Sequence, residues 1–341
     1  MKLRRKVMKV KTGSGGDSAG KAFEIHVAKH IGHILKGGHP EDHYPEHFSD
    51  ESGDSPKHAI KKLHGKLGKE LHDHIDHHAR RMAHHIVGHL KNSGHELDHT
   101  ARVHWTSKPK DLERLTGKEG IKGTADITVS HKGKHHGFSL KYSTSGSKPS
   151  LRSPGINDLN KSLKASHGFV YRSMGEHKDH VEQQVGHLVG NGSDKSKHAA
   201  FKALPEKHKG KISSLVNSKE LHRKLAGHYS DSFNKLKHHE KADFIRKMID
   251  AEKSPTIKPY RASYDAHRGT THITNPTKDF DEQHKTVKKY EAEHVGSSFN
   301  VYAHHHNGDK KKITSVGIKN KSSSPYAGIG GRVGDVSSHK H

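Results

Sequence analysis

The sequence predicts an α+β or α/β fold built around one modest sheet, and three observations predict it. Apolar residues recur at steps of three and four from Ile60 to Leu90. Two alternating segments near residues 125–142 flank a Lys-Gly-Lys turn. A long helical run then follows, and a second strand pair surrounds Asn307-Gly308-Asp309.

Taken in order, residues 1–20 are basic and then Gly/Ser-rich, which predicts a flexible basic arm. A helix is expected from Lys21 to Leu35, with Phe23, Val27, Ile31 and Ile34 on its apolar face and Gly37-Gly38 as its stop. Residues 39–54 are acidic, carry Pro40 and Pro45, and read as a loop. Ser55-Pro56 opens the strongest helical pattern, in which Ile60, Leu63, Leu67, Leu71, Ile75, Ala79, Met82, Ile86 and Leu90 form one stripe that Gly94 ends. Arg102–Thr106 is a short strand candidate, and Asp111–Leu115 is polar and turn-like. Ala125–Ser130 and His136–Tyr142 are the strands of the central hairpin. Ser143–Ile156 reads as a loop and Asn157–Ala251 as helices. Asp279–His294 is expected as a further helix, and Ser298–His305 with Lys312–Lys319 as a hairpin. The expected organisation is an arm (1–20), a core (21–156), a helical region (157–254), a mixed region with the C-terminal hairpin (255–321) and a flexible tail (322–341).

Composition narrows the partners. The 61 Lys+Arg against 37 Asp+Glu give a formal charge of +24, and only 28% of the 341 residues are hydrophobic. Such charge opposes compaction and favours polyanions, nucleic acid foremost. The 40 His would add positive charge on mild acidification. With no Cys, disulfide scaffolds, Cys-based zinc fingers and thiol catalysis are excluded. The basic N-terminus precedes no apolar run and no stretch of 18 apolar residues exists, so neither secretion nor a membrane partner is expected. Aromatics are 6%, which disfavours a base-stacking platform and points to phosphate contacts. Trp105, beside a strand, reads as core.

The chemistry concentrates in Gly123-Thr-Ala-Asp-Ile-Thr-Val-Ser130 and His136-Gly-Phe-Ser-Leu-Lys-Tyr142. Asp126 opens one strand and Lys141 closes its partner, so a hairpin puts them at the same edge. Alternation sends Ser139 and Lys141 to one face, and Phe138, Leu140 and Tyr142 to the other. Phosphodiester hydrolysis needs such a grouping: a carboxylate to hold a divalent cation and a Lys to orient or deprotonate water.

This segment resembles the PD-(D/E)xK nuclease superfamily, in which an Asp begins one strand and an acidic-x-Lys tripeptide lies on the next. The flanking Val103-His-Trp-Thr-Ser107 and Gly317–Ser322 are similar to phage-encoded members. The resemblance implies a restriction-endonuclease-like mixed central sheet flanked by helices, with residues 157–254 as a helical insertion. It further implies Mg²⁺- or Mn²⁺-dependent cleavage of DNA, duplex DNA foremost, with Asp126 as metal ligand, Lys141 as catalytic Lys and Glu24 as a loose match to the helix acid. Ser139 stands where the family has Asp or Glu, and a hydroxyl is a weak ligand for a hard cation. Either a second acid joins Asp126, from among Glu24, Asp111, Glu113 and Asp158, with Glu24 the first choice, or the site is weak or dead. Lys148 and Arg152 in the following loop, and Lys132 and Lys134 in the hairpin turn, are candidate phosphate contacts. The implied setting is a host cytoplasm or a virion, with phage structural proteins or a second copy of the chain as further partners.

Three readings of function stay open: a metal-dependent DNA endonuclease, a non-enzymatic basic structural or virion protein that binds DNA, and an RNA-binding factor. His74/His78 and His85/His89 have the one-turn spacing that grips Zn²⁺ or Ni²⁺, and His304-His305-His306 offers adventitious metal binding.

Overall fold

Eleven α-helices and eleven strands occupy the described residues of the computed structural model: 16–47, 55–106, 109–119, 125–143, 150–215, 218–251, 257–321, 324–326 and 328–335. In chain order the first elements are α1 (Gly16–Lys36), β1 (Glu46–His47), α2 (Pro56–Leu67), α3 (Lys69–Asn92), β2 (Arg102–Trp105), α4 (Pro109–Thr116), β3 (Ile127–His131) and β4 (Lys134–Ser143). Then come β5 (Ser150–Arg152), α5 (Ile156–Leu163), α6 (His167–Val189), α7 (Asp194–Ala203), α8 (Glu206–Leu215), α9 (Lys219–Lys235) and α10 (His238–Met248). The last are β6 (Ile257–Asp265), β7 (Thr270–Thr274), α11 (Pro276–His284), β8 (Val287–Val295), β9 (Ser298–His305), β10 (Lys310–Asn320) and β11 (Ile329–Asp335). Among the described residues no helix is long and apolar enough to cross a membrane.

The fold is mixed α+β, with two sheets where the sequence suggested one. The chain forms two compact units, the first from Met1–Pro149 and Asp250–Asp279, the second from Ser150–Ile249 and Phe280–His341. The first unit holds a six-stranded mixed sheet in the order β1-β2-β3-β4-β6-β7. Its β3–β4 hairpin turns at Lys132-Gly133, both with positive φ, and pairs Ile127 with Phe138. β4 then pairs in parallel with β6, from His135↔Ile257 to Ser143↔Asp265. The expected mixed region 255–321 is therefore divided, since β6 and β7 complete this first sheet. Phe23, Val27 and Ile31 of α1, and Ile75, Ala79, Met82, Ile86 and Leu90 of α3, close a core over Ile127, Val129, Phe138, Leu140 and Tyr264. Burial of such aliphatic and aromatic side chains contributes about 1.5–3 kcal/mol each.

Several expected elements change for identifiable reasons. α1 begins at Gly16, inside the expected arm; residues 1–15 lie outside the described set. The stripe read as one helix is two, because Gly68 adopts φ 75 and ends α2 against His64 before α3 starts. Ser55 does cap α2, accepting the His58 N–H at 3.3 Å. The turn-like Asp111–Leu115 is helical, with Leu112 buried against Ala125 and Ile257.

The second unit carries an antiparallel sheet in the order β5-β11-β10-β9-β8, packed against α9 through buried residues including Leu225 and Tyr229. The C-terminal hairpin forms as expected, as β9 and β10. β5 falls within the expected loop 143–156, and β11 within the expected flexible tail, where it pairs with β10 along its whole length. Asp279–His294 is only partly helical. β8 has a register shift between Val287 and Lys289, which spaces the buried Val287 and Tyr290 three residues apart and imitates a helix.

Candidate functional site

At one end of the first sheet, backbone hydrogen bonds fix Asp126 where it enters β3. Its N–H donates to Phe138 O at 2.9 Å, and its carbonyl accepts the Thr106 N–H at 3.0 Å. Its Oδ2 also accepts the Leu140 N–H at 2.6 Å, so the side chain is tied to the strand that carries Ser139 and Lys141. Close packing supports this corner. A Cβ on Gly137 would stand 2.7 Å from Ile257 and 2.8 Å from Ala125, so only glycine fits beside the residue preceding Asp126.

Glu24 reaches the same place from α1. Its neighbour Phe23 stacks on Tyr142 at 4.4 Å, which seats the helix on the sheet, and the Trp105 indole N–H donates to Glu24 Oε2 at 3.1 Å. Trp105 is core, as expected, and also holds the carboxylate through its polar edge. Burial raises the Glu24 carboxyl and the Asp126 charge adds to it, while Trp105, Lys141 and Lys21 pull it down; the balance is about 8. Burial also raises Asp126, against the Lys141 charge, the Leu140 N–H and nearby Ser139. The Ser139 hydroxyl is buried beside the Asp126 carboxylate.

The structure thus groups Glu24, Asp126, Ser139 and Lys141. Of the other acids considered, Asp158 caps its own helix by accepting the Gly155 N–H at 3.2 Å, and Asp111 and Glu113 lie on α4. The phosphate candidates are not gathered with this group. Lys132 and Lys134 are exposed at the hairpin tip, at the end of β3 and β4 opposite Asp126, because the turn connects the far ends of the strands. Arg152 donates to Lys247 O at 2.8 Å and so anchors the end of α10. Lys148 lies outside the described residues.

No protein-family model, curated protein or solved structure matches this chain.

The histidine pairs singled out by spacing have structural partners. His78 bonds Tyr264 OH at 2.9 Å and His74 at 3.1 Å, His89 lies edge-on to Tyr260, and His304 pairs with Glu291 at 2.6 Å. A pair that the sequence reading passed over is better placed. His26 and His30, one turn apart on α1, converge with Asp76 of α3 in a group able to hold a metal ion. Their i, i+4 spacing was visible, but it does not stand out among 40 His. The Asp76 partner depends on how α1 and α3 pack.

Proposed function

We propose that the protein is a divalent-cation-dependent DNA endonuclease of the PD-(D/E)xK type. One observation carries this reading: α1 delivers Glu24 to the Asp126–Lys141 hairpin, supplying the second acid that Ser139 does not. Two carboxylates raised by burial, with the buried Ser139 hydroxyl beside them, form an oxygen donor set suited to a hard cation. Asp126 and Glu24 would hold Mg²⁺ or Mn²⁺, with Ser139 as a weak neutral ligand. Bound there, the ion supplies Lewis-acid polarisation of the phosphodiester. Lys141 places positive charge beside the carboxylates and positions the attacking water. Trp105 fixes Glu24, and the Leu140 N–H fixes Asp126. The charge of +24 favours non-specific attraction to the DNA backbone.

The test is nicking of supercoiled plasmid by the pure full chain in Mg²⁺ or Mn²⁺, with EDTA as control. Wild type should nick only with metal, whereas Asp126→Asn and Lys141→Ala should fall to the EDTA level while still binding DNA. Cleavage that survives both substitutions overturns the reading. Ser139 in the acidic position favours a second one, a basic structural or virion protein that binds DNA without cutting it. Wild-type binding with no nicking in either metal would support that instead.

A further inference from the structure

We propose that His26, His30 and Asp76 form a second, structural metal site, selective for Zn²⁺ or a similar transition ion, which ties α1 to α3. His26 Nδ1 lies 2.6 Å from Asp76 Oδ1, and His30 Nε2 lies 3.0 Å from the same oxygen. All three ligand atoms are within 4.8 Å of one another. A tetrahedral Zn²⁺ with ligands at about 2.0–2.1 Å spaces them about 3.3 Å apart, so small side-chain shifts suffice. His26 is 1% exposed and His30 3%. His26 Nδ1 and His30 Nε2 converge on one carboxylate oxygen from two successive turns of α1. Two buried imidazole nitrogens and a carboxylate oxygen gathered in this way are donors that an ion could share in place of their direct contacts.

The surroundings fit a metal ligand. His26 Nε2 lies 3.0 Å from His72 Nε2, so with Nδ1 on the metal, His26 donates its remaining N–H to His72. Such an outer partner fixes the tautomer of a ligating imidazole. Lys29 opposes the site, since its Nζ lies 3.6 Å from Asp76 Oδ1. Glu41 draws that ammonium away, at 2.6 Å, and is itself bonded by Tyr44 OH. Two nitrogens and one oxygen favour a borderline-soft ion over Mg²⁺, and three protein ligands leave one tetrahedral position for water. This site is separate from the carboxylate group assigned to cleavage, and its test involves no DNA.

The full chain, stripped with EDTA, is titrated with Zn²⁺ against a chromophoric chelator that outcompetes isolated surface histidine pairs. Wild type should retain one equivalent, and a large excess of Mg²⁺ should not displace it. His30→Gln should retain none, and Asp76→Asn should bind about tenfold or more weakly. Asp76 is partly exposed and Asn nearly isosteric, so this variant keeps the test decisive if the histidine variant misfolds. Lys29→Met should bind Zn²⁺ more tightly, and the control His305→Gln/His306→Gln should match wild type. A hundredfold excess of free Zn²⁺ over Kd should raise the wild-type Tm by about 5–10 °C, with no rise in His30→Gln. A wild type that retains no equivalent, or retention unchanged in both His30→Gln and Asp76→Asn, would overturn the site.

Discussion

Trp105 acts on Glu24 through a single N–H, which makes it a residue whose removal has a signed effect. The indole bond favours the ionised carboxylate and so lowers a pKa that burial has lifted to about 8. Cation binding needs the ionised form, so with the cation far below saturation cleavage should rise with pH toward about 8 and level off above it. Trp105→Phe keeps most of the ring volume and deletes the donor. The folded-state pKa of Glu24 then climbs further, and the rising limb of the pH–rate profile should move to higher pH. A profile that stays in place would show that Glu24 is not the titrating ligand. Lys141 pulls in the same direction as Trp105, but it cannot serve as the probe because its loss removes the proposed chemistry as well.

At the level of elements, the site depends on how β3, β4 and β6 pack at one corner. Gly137→Ala forces a methyl against Ile257 and Ala125, and overpacking of this kind costs about 1–3 kcal/mol. The variant should unfold at lower denaturant in equilibrium melts. It should also lose plasmid nicking out of proportion, since Ala125 immediately precedes Asp126. The hairpin itself was legible because its alternation and its Lys-Gly-Lys turn are local. Glu24 was legible only with the family pattern, and Asp76 not at all, since their partners arise from helix packing. β6 was hidden by Pro259, a residue that disfavours a paired strand. The register explains its presence: β4 pairs with β6 from Ile257 onward, whereas β7 begins its pairing at Arg261, so Pro259 sits where one side of the strand has no neighbour in the sheet. In β8, a bulge turned strand spacing into apparent helical spacing.

For the whole molecule, charge would set the mode of the proposed DNA binding. If binding is mainly to phosphates, with about 6–10 contacts, affinity should fall by about 10³–10⁵ between 50 and 200 mM salt, with little dependence on DNA sequence. Fluorescence anisotropy on two unrelated duplexes across that range checks both points; a flat salt response would argue against phosphate-led binding. Mild acidification should strengthen binding less than 40 His suggest. Burial lowers His26, His104, His177 and His222, and holds His72 and His78 down at about 4, so these groups stay neutral where a free imidazole would charge. Chain order carries a different consequence. β4 is made early, but β6, its parallel neighbour, follows only after residues 150–249 of the other unit. At about 5–20 residues per second, the ribosome takes on the order of ten seconds to deliver that neighbour. Throughout that interval the strand bearing Lys141 has one bare hydrogen-bonding edge, the kind of edge through which nascent chains stick to one another. The interruption that assembles this sheet from two distant segments therefore also creates a window during synthesis when the protein depends most on chaperones.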